Sequence, residues 1–523
     1  MTFPTFQAVI CIIATLVSAE LLAVETFQQP HEQFAAESIL ADELPTPIAQ
    51  PGTNASIVSL LGDLQRPLLF RDHPPTNSAT SCSAANCHGG PNPGIARPTA
   101  ARGSEYQLWF EHDPHAQSWR TMCSSESIAI LEKLRILQDG QIRDPAGYNN
   151  CLACHNSSKL PPTTVDQRTD AHATVAANQI SVNFNREGVG CTSCHGPSFQ
   201  WIGTHFQHDW TVQSTDEKIG EGFVSLGNIV TRARVCASCH VGDSDRDMNH
   251  DIIAAGHPPL RYEFATYHQD LPKHWRDLEA TDQFTFEPTL WLAGQIAGVD
   301  AFLAALESRC QKSLHVSQWP EFAAYDCASC HHELGLENRR PVREENTKGI
   351  PTFSRWYDTG LIWVLEQAIA DGHSHSSVVL LEKLSSLREH MHASAIPDSI
   401  LIAKKARQAR RALGQWSQID SQEVLLSWNG KSLSQIISVA STTDGAFITW
   451  ESAAQFYLAV VAAREHWSFD DQAGTKHEVD RLRSGLGFPD KRNIYATHKF
   501  DPPRLNRAEA TKLGREISVL IGE

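Results

Sequence analysis

Methionine is almost missing from this chain, with four in 523 residues. Basic charge is in short supply as well: 44 Lys and Arg stand against 60 Asp and Glu, a formal net charge of −16. Residues 341–523 hold 22 of each kind, so the remaining 22 basic and 38 acidic side chains place the whole excess in the first 340 residues. That balance argues against a nucleic-acid partner and for partners with a basic docking face. The apolar run at residues 8–17 is too short to span a bilayer, which needs about 20 apolar residues. Cysteine is absent after residue 330, and no C-x-x-C pair is followed by Lys.

What is present in excess is histidine, 25 residues, beside 13 cysteines. Hydrophobic residues at 41% and charged residues at 20% are those of a folded globular chain. A length of 523 residues implies two or three domains. The short apolar run, closed by Ser18 and Ala19, reads as an export signal over residues 1–24 and predicts a periplasmic or otherwise exported protein. No Lys or Arg precedes the run, and an uncleaved segment giving membrane association is the competing reading. Residues 25–75 carry seven prolines and read as an extended lead-in.

Four C-x-x-C-H motifs follow in order: Cys151, Cys154, His155; Cys191, Cys194, His195; Cys236, Cys239, His240; and Cys327, Cys330, His331. The spacing suits covalent haem: two thiols add to the two vinyl groups of the porphyrin, and the next imidazole reaches the iron. Zinc pairs or disulfides place no demand on the residue after the second Cys. At the composition of this chain a His falls at a given position about one time in 20, yet it occurs here four times in four. A fifth motif is wider: Cys82 and Cys87 are four residues apart and His88 follows. The expectation is therefore about five molecules of haem c, with His88, His155, His195, His240 and His331 as proximal ligands. Of the remaining cysteines, Cys123 and Cys310 are candidates for a disulfide or for buried thiols.

Each iron has a second face to fill. Only Met122 and Met248 fall in this region, so paired histidines and low potentials are expected. His115, His205, His250 and His257 are the first candidates, with His172 and His274 behind them.

From about residue 341 the chain changes character. Apolar residues three and four apart predict helices over 361–370, 378–392, 401–416 and 449–467, and in the earlier region over 125–137 and 289–309. The last of these carries Trp291, Ile296, Val299 and Leu303 along one side. The expected fold class is mainly α: a pentahaem domain over 76–340 with little regular structure, then a helical domain over 341–523.

The text EGVGCTSCHGP at residues 187–197, with Trp201 and His205 after it, resembles the cytochrome c-552/c-554 family of multihaem cytochromes. The order also fits: an early motif, DPHAQSW at 113–119, CLACH, GVGCTSCHGP, then RVCASCH, over about residues 82–240. The resemblance implies distal ligation by His115 and His205. Residues 249–275 and 319–334 resemble larger bacterial members with an added haem, which implies roles for His250 and His257. The wide first motif, the fifth haem and the last 180 or so residues depart from the short members.

Three functions compete at this point. One is electron transfer between redox protein partners through closely spaced haems. A second is oxidation of a small nitrogen compound such as hydroxylamine at an open haem; nitrite reduction is disfavoured by the missing C-x-x-C-K. The third gives the helical domain an assembly role. The motif fixes the cofactor and leaves the substrate open.

Overall fold

Helix-start signals organise the chain. Asp144 accepts from the amide of Gly147 ahead of the Pro145–His155 helix, Asn228 from Thr231 ahead of Ile229–His240, and Asn249 from Ile252 ahead of His250–Ala255. The computed structural model describes residues 79–90, 103–157, 188–277, 283–313, 319–331, 349–372, 375–419, 428–442, 447–464, 472–487 and 507–522. The expected export signal, the lead-in and His172 lie outside the described residues. Among the described residues the protein is mainly helical, with 18 α-helices and a single strand pair, Leu137–Gln138 against Gln141–Ile142.

Helices before residue 280 are mostly short, while those after it are longer: Gln283–Ser313, Thr359–Ala370, His375–His392, Ser399–Ile419, Gly430–Thr442, Trp450–Ala462, Gln472–Gly485 and Arg507–Gly522. The helices expected over 361–370, 378–392 and 401–416 fall within these; the one expected over 449–467 is shorter, Trp450–Ala462, with Thr449 as its N-cap, and residues 465–467 lie outside the described residues. The helix expected over 125–137 ends at Lys133, because Arg135 takes φ 59° and turns the chain into the strand pair.

Gln283–Ser313 is the centre of the molecule. Leu290, Trp291, Leu292 and Ala293 are all buried in succession, so this helix is covered on every side and not along one stripe. The Ile229–His240 and Phe264–Asp270 helices cover it from the N-terminal half, and Ser399–Ile419 from the C-terminal half. The segment Phe286–Lys312 is long and apolar enough to cross a membrane by length and composition, but 83% of its apolar window is buried inside the protein. Burial of each large apolar side chain contributes about 1.5–3 kcal/mol. Ion pairs fix the orientation of the helices: Arg410 meets Asp300 at 2.9 Å and Arg407 meets Glu307 at 2.7 Å. One hydrophobic cluster runs from Ile229 to Ile517, so packing is continuous across the boundary expected at 340/341.

Gly294 lets the central helix touch its neighbour. A Cβ there would lie 2.6 Å from the Cβ of Phe264, closer than carbon atoms approach. Gly294→Val is expected to cost about 1–3 kcal/mol through overpacking. Thermal melting checks this against Gly203→Val, where the added group meets nothing within 4 Å.

Candidate functional site

Three of the four C-x-x-C-H motifs sit on helix. Cys151, Cys154 and His155 end the Pro145–His155 helix; Cys191–His195 is itself one helical turn and a fraction; Cys236, Cys239 and His240 end Ile229–His240. Residues three and four apart share a helix face, so both thiols and the imidazole point the same way. Cys327 opens a 3-10 turn capped by Asp326, whose side chain accepts from the amide of Ala328. The wide first motif bulges through a turn in which the amides of Cys87 and Gly89 both donate to the Ala84 carbonyl.

Each motif histidine faces a second histidine. Ring centroids lie 6.2 Å apart for His88 and His205, 6.2 Å for His155 and His257, 6.2 Å for His195 and His274, 6.0 Å for His240 and His115, and 6.4 Å for His331 and His250. Two imidazoles on opposite sides of one metal, each with nitrogen at about 2.0–2.1 Å from it, have centroids about 6.3 Å apart. All five pairs fit a metal held between two rings. The ring planes run from nearly parallel, 10° for His88 and His205, to crossed, 76° for His115 and His240. A shared axis permits any such rotation.

Several rings are aimed by their other nitrogen. Nδ1 of His115 bonds Asp113 at 2.8 Å, Nδ1 of His205 the Ile202 carbonyl at 2.9 Å, Nδ1 of His257 the Pro258 carbonyl at 2.8 Å, and Nδ1 of His88 Glu105 at 3.2 Å. With the proton on Nδ1, Nε2 is left as a lone-pair donor. Burial, helped by the facing imidazole, pushes His155 and His195 down to about 4 and His240 to about 3. These rings are therefore neutral at pH 7, as ligands must be. His115 is the exception: burial opposes its charge, but Asp113 outweighs it and raises the ring.

Local geometry explains the EGVGCTSCHGP text. Gly188 has φ 62°, and a Cβ on it would come within 2.3 Å of the His115 carbonyl oxygen. The turn brings the amide of Val189 to donate to that carbonyl at 2.9 Å. His115 is thereby fixed against the third motif.

The first four pairs open on one chamber of about 2520 Å³, well beyond the roughly 300–1,000 Å³ of an ordinary ligand pocket. Histidines of all four pairs line it, while His331 and His250 lie outside it. Thiols of different motifs adjoin. The thiols of Cys82 and Cys191 are hydrogen-bonded, as are those of Cys154 and Cys239, and Cys194 feels the charge of Cys236. His250 and His257 stand at the two ends of one six-residue helix, about 10 Å apart along the chain. Among the described residues no three or more His, Cys, Asp or Glu side chains converge on a metal-ion site of the kind zinc would need.

The four distal candidates His115, His205, His250 and His257 each stand opposite a motif histidine. His274 is the fifth, and sequence reasoning placed it second. It lies in the loop after Phe264–Asp270 with no cap or period to mark it. Asp113 and Glu105, which aim two of the rings, went unnoticed, although an Asp-Pro before His115 is a visible helix-cap signal. His268 is an ordinary core histidine: it is buried, with Nε2 2.9 Å from Arg232 and 3.4 Å from Asp277. Cys123 is exposed and Cys310 buried, and the disulfide considered between them is not formed.

If each pair holds a haem iron, His274→Ala is expected to turn one of five low-spin centres high-spin and let the reduced protein bind carbon monoxide there. His268→Ala should leave all five low-spin. Optical and electron paramagnetic spectra of the two variants check the assignment.

Comparison with protein-family models, with curated proteins and with solved structures found no match to this chain.

Proposed function

We propose that this chain is a pentahaem c-type cytochrome that relays electrons, and the observation carrying the proposal is the set of five imidazole pairs at 6.0–6.4 Å beside five cysteine pairs. Cys82 and Cys87, Cys151 and Cys154, Cys191 and Cys194, Cys236 and Cys239, and Cys327 and Cys330 would carry the thioether bonds. The axial pairs would be His88/His205, His155/His257, His195/His274, His240/His115 and His331/His250. Bound haem supplies a one-electron iron couple, and ligation by two imidazoles favours low potential.

The side chains do three things in this reading. They fill both axial positions, which leaves no site for a nitrogen substrate and favours the relay over the oxidase alternative. They gather four of the centres, since the histidines of the first four pairs line one chamber. They set neighbours: contacts between thiols place the first motif beside the third, the third beside the fourth and the fourth beside the second, and the His250–Ala255 helix joins the second to the fifth. At the two ends of that path the His88 side chain is 43% exposed and His331 is exposed. Export to the periplasm, redox protein partners with basic faces and the kinship with the cytochrome c-552/c-554 family go with the same reading.

A haem-to-protein ratio of five is expected, falling to four when Cys82 and Cys87 are both replaced by Ala. A ratio of four that the double substitution leaves unchanged would show the wide motif to be empty. Steady-state assays with hydroxylamine and an artificial electron acceptor should give turnover well below about 1 per second. Sustained turnover above that rate would favour the oxidase.

A further inference from the structure

The fifth centre is built differently from the others, because the helical part of the chain holds its anchor segment. The amide of Asp326 donates to the Thr352 carbonyl at 2.8 Å, the amide of Ser354 to Ala324 at 3.0 Å, and the amide of Phe353 to Nε2 of His392 at 2.8 Å. A carboxylate is set into this joint. Glu451, in the first turn of Trp450–Ala462, is 5% exposed, and its Oε2 accepts from Ser354 Oγ at 3.0 Å and from the Arg355 amide at 2.6 Å.

Charged and titratable groups face Glu451 from every packed element. Asp326 comes from the anchor segment, Arg261 from the stretch after His257, and Arg355 and Tyr357 from residues 349–358; the Arg388–Asp358 ion pair stands behind Arg355. Arg261 links the group to the centre: its guanidinium lies 4.6 Å over the Trp450 ring and 3.9 Å from Cys327 Sγ. Cys327 feels the charge of both Glu451 and Asp326. Two buried carboxylates near one guanidinium make a place where added negative charge tips a carboxylate into its protonated form. Burial, reinforced by Asp326, already lifts the Glu451 carboxyl to about 7.

We propose that Glu451 is the proton-accepting group of the fifth centre, binding a proton from solvent when that centre gains an electron and releasing it when the electron leaves. The proposal rests on the haem reading of the Cys327–Cys330–His331 motif. In balance, one electron from a reduced redox partner takes iron(III) to iron(II), while one proton leaves hydronium or a buffer acid in the solvent and forms an O–H bond on the Glu451 carboxylate; no other bond of the protein changes. Net charge at the joint is thereby conserved.

The test is spectropotentiometric titration of the full-length, haem-loaded protein between about pH 5 and pH 9, beside Glu451→Gln. The variant keeps an acceptor oxygen for Ser354 and Arg355. One of five midpoints is expected to fall as pH rises, by at most about 59 mV per tenfold drop in proton concentration. In Glu451→Gln that midpoint loses its slope and the other four keep theirs. Should the variant fold poorly, an indicator dye in weakly buffered wild-type protein still reads proton uptake on reduction, greatest near neutral pH. No uptake, or a slope the substitution leaves unchanged, overturns the proposal. Mass analysis of the peptide carrying Cys327 and Cys330 separates the two levels: a haem-free peptide sinks the haem reading of that motif, whereas a loaded peptide with a flat midpoint sinks the role of Glu451 alone.

Discussion

Two imidazoles that face each other across about 6 Å gain little from that arrangement by themselves, and the backbone must hold the gap open. Each member of a pair comes from a different element, so the spacing depends on how those elements are pinned. Asp113 and the Gly188 turn fix His115, Asn249 starts the helix that presents His250, and Gly256 with φ 131° ends that helix just before His257. The short helices of the N-terminal half follow from this demand. A longer helix would carry its histidine along a fixed line, whereas a single turn with a side-chain cap can be aimed independently.

The chamber and the core divide the work between two halves of the sequence. Among the described residues, the apolar packing around the first four pairs comes in small pieces, a cluster of Ala79, Trp109 and Ala116 and the contacts of Trp201, Trp210 and Phe223. The large cluster is built around Gln283–Ser313 and extends through the C-terminal helices. Trp291 stacks on Trp428, and Trp356, itself stacked on Trp450, donates its Nε1–H to the Tyr262 carbonyl at 3.0 Å, so aromatic side chains tie the end of the cysteine region to the helical part. The cysteine region thus leans on a scaffold that comes later in the chain.

Much of this was legible in the sequence because the chemistry is local. A thiol, two intervening residues, a thiol and an imidazole form a unit within one helical turn, and no tertiary information is needed to see it. The C-terminal helices were legible through their apolar spacing. The partners of the motif histidines were harder, since a ligand from another element carries no spacing of its own. His115 could be picked out with the text around it, but His274 follows a loop with neither cap nor period. The long helix was read as one-sided because Trp291, Ile296, Val299 and Leu303 stand out by size; Gly294, Ala293 and Ala297 face other neighbours and bury a second side without adding bulk. The charge joint at Glu451 was invisible, since Asp326, Arg355 and Glu451 are far apart in the chain.

The packing of the helix that carries the fourth motif has a consequence for biogenesis under the proposed haem reading. Cys236 packs against the main core, and the helix that carries it lies on Gln283–Ser313, which is synthesised after it. Thioether formation needs both thiols accessible to a bulky porphyrin. In the haem reading proposed above, the central helix would dock after the fourth attachment is complete, and the C-terminal helices after the fifth. Maturation in that reading would run in one direction, with the scaffold closing last.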